Sequence, residues 1–190
     1  MKIELCITGG IACGKSLVGE LLTEAGFTIV DADVVCHDLM RVGLPVWRSI
    51  IEEFGMEITD KDGAIQRTAL GAIVFADPRR LAQLNALTHP PARAEIRRRR
   101  HACKGNFAAI IPLIYEVGWT EDWNKIICVA APRVLQIERM QQRGLNQSAI
   151  QDRLKAQLPL TEKMRLADYV IYNNGSQPHL RRQIDLLLAR

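Results

Sequence analysis

Thr8-Gly9-Gly10-Ile11-Ala12-Cys13-Gly14-Lys15-Ser16 governs how the rest of the chain is read. From Gly9 onward it fits the spacing G-x-x-x-x-G-K-[ST]. Each residue type has a physical task. The glycines let the backbone curl so that successive N–H groups point at phosphate oxygens. A helix starting near Gly14 adds its positive N-terminal end. Lys15 supplies a mobile charge for the β- and γ-phosphates, and the Ser16 hydroxyl is placed to bind magnesium. A glycine-rich turn that happens to end in Gly-Lys-Ser is the bland alternative, and context argues against it. Lys2 to Thr8 is an apolar run that reads as a strand. Lys15 to Ala25 carries Leu17, Val18, Leu21 and Leu22 at helical spacing, with Gly26 suited to a C-cap. The motif therefore predicts a nucleoside triphosphate site at the first strand–helix turn. It leaves the acceptor open among a kinase, an ATPase and a switch. A guanine-reading Asn-Lys-x-Asp is missing: the similar stretch, Asn124-Lys125-Ile126-Ile127, has no aspartate.

Outward from this loop, strands alternate with helices, which implies a parallel sheet covered on both faces. Strands are predicted at 27–30, 107–115, 125–130 and 168–172. Helices are predicted at 34–40, 47–54, 68–75, 79–87, 92–101, 133–143, 148–158 and 180–189, with His89-Pro90-Pro91 breaking the run between the fourth and fifth of these. The strand-poor middle reads as an insertion after the second strand. The expected organisation is one unit of residues 1–190. Its core would be about 1–33, 106–132 and 168–190, with a helical insertion at about 34–105 and a lid at about 133–167.

The 190 residues are 48% hydrophobic and 24% charged, close to the globular average. Only 5% are aromatic, so the core must rest on Leu, Ile, Val and Ala. A net charge of +4 suits anionic small molecules and is too weak to announce a nucleic-acid binder. Cys6, Cys13, Cys36, Cys103 and Cys128 are odd in number and lack a Cys-x-x-Cys pair, against a disulfide framework or structural zinc. Free thiols and no membrane-length apolar run lead to the expectation of a cytoplasmic protein.

Asp31 and Asp33 follow the second strand, where a parallel sheet faces its ligand crevice. Either aspartate could orient an acceptor hydroxyl, or simply cap the next helix. Glu116 could hold an acceptor or a water-bridged magnesium, or be a solvated loop carboxylate. Arg139 and Arg143 share a helix face, as do Arg153 and Gln157. Arginines on a mobile lid shield and neutralise a transferring phosphoryl group, and a solvated helix face is the plainer alternative. The run Arg97 to Arg100 reads as a solvent face, without interleaved aromatics for base stacking.

Together these stretches resemble the dephospho-CoA kinase family, over nearly the whole chain. The resemblance runs from Thr8-Gly9-Gly10-Ile11 and Gly14-Lys15-Ser16 to the Asp31-Ala32-Asp33 triplet. It continues through Asp62-Gly63, Arg67, Val74-Phe75, His89-Pro90, Pro112-Leu113 and Tyr115-Glu116. Arg139, Arg143, Arg153, Gln157, Ala167-Asp168, Val170-Ile171, Asn173 and Gly175 complete it. The family transfers the γ-phosphoryl of ATP to the ribose 3′-hydroxyl of dephospho-CoA, the last step of coenzyme A synthesis. The resemblance implies an α/β, three-layer P-loop kinase fold. A five-stranded parallel sheet carries helices on both faces, a helical substrate-binding insertion and a helical lid.

The resemblance also implies residue roles. Asp33 would be the general base. Gly10, Ile11, Ala12, Cys13, Gly14, Lys15, Ser16 and Leu17 would hold ATP phosphates, with Asn173 near the adenine. Lys15, Arg139 and Arg143 would act on the transferring group. Arg67, His89, Tyr115 and Glu116 would join Asp33 in binding the acceptor, and Ser16 would hold Mg2+. The implied partners are ATP and dephospho-CoA, without nucleic acid or membrane, in a monomer or weak homo-oligomer. Ala12 and Cys13 stand where the family often has glycine and serine, and Cys13 suggests sensitivity to thiol reagents. Ile65-Gln66 and Ile114 also depart from the family's usual residues. A nucleoside-monophosphate kinase, or a P-loop regulatory or nucleic-acid-associated module, remains the alternative.

Overall fold

A computed structural model describes residues 2–189. Three of its strands are buried along nearly their whole length: β1 (Glu4–Gly9), β3 (Phe107–Ile110) and β4 (Lys125–Ala130). Successive strand residues point to opposite faces, so burial of every residue means that both faces are covered. β2 (Thr28–Asp31) and β5 (Tyr169–Tyr172) complete a five-stranded sheet in the order β2-β3-β1-β4-β5. All pairings are parallel. The expected five-stranded parallel sheet is thus present, with helices around it.

The chain divides into two units. One ends at Asp31 and resumes at Cys103; the other is Ala32–Ala102. In the sheet unit, α1 (Lys15–Glu24) buries Val18, Leu21 and Leu22 on a core that also holds Ile7, Ile110, Ile127, Val129 and Ile171. α9 (Gln177–Leu188) adds Leu180 and Ile184. Each such aliphatic side chain contributes about 1.5–3 kcal/mol on burial. α6 (Arg133–Gln142), α7 (Gln147–Lys155) and α8 (Leu160–Leu166) lie between β4 and β5. α8 was not expected; the short helix follows Pro159, which cannot extend α7 and suits the residue before a helix.

β3 stops at Ile110, five residues short of the expected end. Ile111 N–H donates to the Ile7 carbonyl at 2.9 Å, and Pro112, with no N–H, cannot extend the ladder. Leu113 to Trp119 instead fold into turns closed by Val117 N–H to Leu113 O and Trp119 N–H to Ile114 O, both 3.0 Å.

The other unit is helical: α2 (Ala32–Leu39), α3 (Pro45–Phe54), α4 (Arg67–Ala76) and α5 (Pro78–Ala102). α2, α3 and α4 all pack on α5. Its core is Val46, Ile50, Phe54, Ile58, Leu70 and Val74. The expected break at His89-Pro90-Pro91 is absent, and α5 runs through both prolines. Thr88, Ala92 and Ile96 are buried at four-residue spacing. This packed stripe spans the prolines, and tertiary burial outweighs the two lost backbone donors. Thr88 Oγ1 also donates to the Leu84 carbonyl at 2.9 Å. Of the arginine run, Arg98 and Arg99 both pair with Glu95 at 2.7 Å. Their hydrogen bonds pull the Glu95 carboxyl down to about 2.

No described helix is long and apolar enough to cross a membrane. All five cysteines are free thiols.

Candidate phosphate-binding site

The loop from Gly9 to Ser16 joins β1 to α1, and backbone geometry explains its glycines. Gly9 has φ +141° and lies against β4, where an added Cβ would sit 2.9 Å from Val129 N and 3.0 Å from Val129 C. Gly14 has φ +92°, and its Cβ would collide with the Asn173 amide, with Asn173 Cγ at 3.3 Å. Ala12, at φ +56°, is the one non-glycine described residue with positive φ. The curled backbone is held from three sides. Lys15 Nζ donates to Gly10 O at 2.9 Å and Gly9 O at 3.2 Å, which folds the ammonium over the loop. Asn173 Nδ2 donates to Cys13 O at 2.9 Å. Arg139 donates from one terminal nitrogen to Ala12 O and from the other to Asn173 O, each at 3.1 Å.

These bonds engage loop carbonyls, and one loop amide, Cys13 N–H, donates back to Gly10 O at 3.3 Å. The loop leads into the N-terminus of α1, an end that favours an anion. Ser16 is exposed in the first turn of α1. Leu17 packs partly on the sheet core, which leaves its backbone rather than its side chain for a ligand. Cys13 is fully buried, and burial pushes its thiol up despite the nearby Lys15 charge. A cleft of about 560 Å3 opens beside Gly10 and Ile11, walled by Arg133, Gln136, Lys155 and Gln157. Its volume is within the range of small-molecule sites.

The structure thus ties Gly9, Gly10, Ala12, Cys13 and Lys15 together with Arg139 and Asn173 by hydrogen bonds, with Ile11, Gly14 and Ser16 on the same loop. Arg143 is different: it is the exposed C-cap of α6. Asp31 closes β2 in the same row as Ile110 and Ile7. Two strand spacings, about 10 Å, separate it from β1. Asp33 falls in the first turn of α2, directly after β2, where the helix dipole favours a carboxylate. Arg67 begins α4 and His89 lies within α5, both in the helical unit. His89 titrates below its ordinary value because it is partly buried. The Tyr115 hydroxyl is buried without a hydrogen-bond partner, and desolvation raises it well above the usual phenol range. Glu116 Oε1 pairs with Lys163 Nζ at 2.7 Å and accepts Leu158 N–H at 2.9 Å.

Two buried polar residues near the loop were missed from sequence. Gln136 donates to Ala131 O at 2.8 Å and stands close to Gly10. Lys163 is fully buried in α8. No local signal marked it, because a lysine between Glu162 and Met164 reads as solvated.

The family model for dephospho-CoA kinase matches residues 3–179. A dephospho-CoA kinase of Thermosynechococcus vestitus is 42% identical over 186 residues, covering 96% of this chain and 92% of the relative. One from Bdellovibrio bacteriovorus is 38% identical over 186 residues, with the same coverage of both chains. Among solved structures, a Thermus thermophilus protein superposes with TM-score 0.83 at 31% identity, over 99% of this chain and 97% of its own. Dephospho-CoA kinase from Campylobacter jejuni gives TM-score 0.73 at 30% identity, covering 100% and 96%. A shikimate kinase from Acinetobacter baumannii, TM-score 0.52 at 16% identity, shares the P-loop kinase fold. With the motif, the parallel sheet and these matches in agreement across almost every residue, the chain belongs to the dephospho-CoA kinase family.

Proposed function

We propose that the protein transfers the γ-phosphoryl of ATP to the ribose 3′-hydroxyl of dephospho-CoA, giving coenzyme A and ADP. Family membership supports the acceptor. The observation that carries the donor is the loop itself: its carbonyls are engaged by Lys15, Arg139 and Asn173, and it leads into the N-terminus of α1. In phosphoryl transfer the protein mainly positions the reactants and neutralises charge. The loop amides and Lys15 hold the donor phosphates. Arg139 and Asn173 fix the loop's shape, and Arg143 is assigned to the transferring group. Asp33 takes the proton of the acceptor hydroxyl, with Arg67 and His89 holding the acceptor in the helical unit. Residues 133–167 serve as the lid that excludes water. Tyr115, with its hydroxyl turned inward, and Glu116, with Oε1 engaged, are left out of the acceptor contacts.

The donor set fits magnesium. Among the described residues no group of three or more His, Cys, Asp or Glu could cage a metal. Magnesium is commonly held by one or two protein oxygens, with phosphates and water completing its shell. We assign the Ser16 hydroxyl, exposed in the first turn of α1, as that oxygen. When bound, the ion offsets phosphate charge.

The test is ADP release with ATP and magnesium in the presence of dephospho-CoA, AMP or no acceptor. Turnover that requires dephospho-CoA and yields coenzyme A is expected. Turnover with AMP alone, or indifferent to acceptor, overturns the reading. Asp33→Asn should reduce turnover more than ATP affinity, and greater damage from Asp31→Asn would reassign the base.

A further inference from the structure

Lys163 has no solvent exposure, yet it carries an ammonium group into the sheet unit. Its Nζ donates to the Pro112 carbonyl at 2.7 Å and pairs with Glu116 Oε1 at 2.7 Å. Pro112 O also accepts Thr8 Oγ1 at 3.1 Å. Glu116 Oε1 also accepts the Leu158 N–H at 2.9 Å. One ammonium thereby joins three segments: Thr8, directly before the phosphate loop; the turn after β3; and the chain entering α8. Leu158 belongs to the wall of the cleft that opens beside Gly10.

A buried ion pair is a costly way to fill space, since a well-packed apolar residue stabilises as much or more. What the pair adds is geometry. A charge-assisted bond fixes the otherwise unsatisfied Leu158 amide, and Lys163 fixes the carboxylate that holds it. We propose that Lys163 is a positioning residue for phosphoryl transfer. Through Glu116 it sets the 157–160 wall over the phosphate loop, so that the cleft excludes water while the donor is bound. The proposal rests on the reading that this loop holds the phosphoryl donor.

Three variants test it: Lys163→Met, Glu116→Gln and Glu116→Asp. Glu116→Asp keeps the charge and shortens the reach by one methylene, so it is the variant that preserves folding. Each is assayed well below its own melting midpoint. The readouts are kcat, KM for ATP, and ADP formed per coenzyme A formed. A displaced wall should lower kcat roughly 10- to 100-fold, with KM for ATP changed less than about threefold. It should also raise ADP release without acceptor several-fold, because water reaches the donor. A merely structural pair would shift the melting midpoint and leave coupling unchanged. Wild-type kcat and coupling in folded Glu116→Asp would overturn the proposal. If the wild type itself ignores dephospho-CoA, the acceptor assignment fails. Acceptor-free hydrolysis then decides this inference alone: higher in the variants supports it, and unchanged overturns it.

Discussion

Gly14→Ala probes the join between the phosphate loop and β5. Two costs arise. At φ +92° an alanine sits in left-handed backbone, worth about 1–2 kcal/mol. Its Cβ also displaces the Asn173 amide, and that side chain is 6% exposed, with little room to retreat. Moving it breaks the 2.9 Å bond to Cys13 O and leaves a buried carbonyl unpaired, about 1–3 kcal/mol. The total is about 2–5 kcal/mol, or a fall of about 4–20 °C in melting temperature at this chain length. Asn173→Ala alone loses the same bond and costs about 1–3 kcal/mol. In the double variant the collision is gone and the bond is lost only once. It should therefore be no less stable than Gly14→Ala alone. Urea denaturation of the four proteins gives the coupling, expected at about 1–3 kcal/mol in favour of the double variant. Additive costs, agreeing within about 0.5 kcal/mol, would show that Gly14 and Asn173 act independently and would refute the argument.

The same structure sets other outcomes. Cys6, Cys13 and Cys128 are buried, and desolvation raises all three thiols, Cys128 up to about 12. A neutral-pH disulfide reagent should thus modify Cys36 and Cys103 promptly and spare Cys13, contrary to the expectation of a sensitive loop thiol. Prompt labelling of Cys13 in the folded protein would contradict this. Burial lowers the folded pKa of His89 below the 6.5 of an open chain, so the unfolded state takes up the proton first. Its contribution to stability is present above pH 6.5 and is lost as pH falls through the lower, folded value. His89→Gln should flatten that acid-side decline in urea midpoints between pH 7.5 and 5; an unchanged slope would remove His89 as its source. Finally, Glu116→Ala strands a fully buried ammonium and should cost about 3–5 kcal/mol. Lys163→Met leaves a carboxylate that is already 21% exposed and a Pro112 carbonyl still bonded to Thr8, so about 1–2 kcal/mol is expected. Calorimetry that reverses this order would refute the asymmetry.

What was legible in the sequence was local. The phosphate loop is a run of eight residues whose spacing states its own backbone demands, and Gly9 and Gly14 meet them through positive φ. The strands were legible as short apolar runs because a sheet buried on both faces has no polar alternation to dilute them. Features set by distant neighbours were not. Pro90 and Pro91 read as a break because a proline's cost is local, whereas the stripe that spans them is a tertiary fact. Arg139 paired by spacing with Arg143 and so read as a lid arginine. Its hydrogen bonds reach residues 127 and 34 positions away, which no helical period encodes. Lys163 shows the limit most sharply. Within Thr161-Glu162-Lys163-Met164 a lysine reads as solvated, since lone lysines are almost never fully buried. Only Pro112 and Glu116, about fifty residues earlier in the chain, make its burial tolerable. A buried charge is therefore invisible until its partner is placed. Here both direct partners lie in one turn, and their shared oxygens, Pro112 O and Glu116 Oε1, tie Thr8 and Leu158 to the same charge beside the phosphate loop.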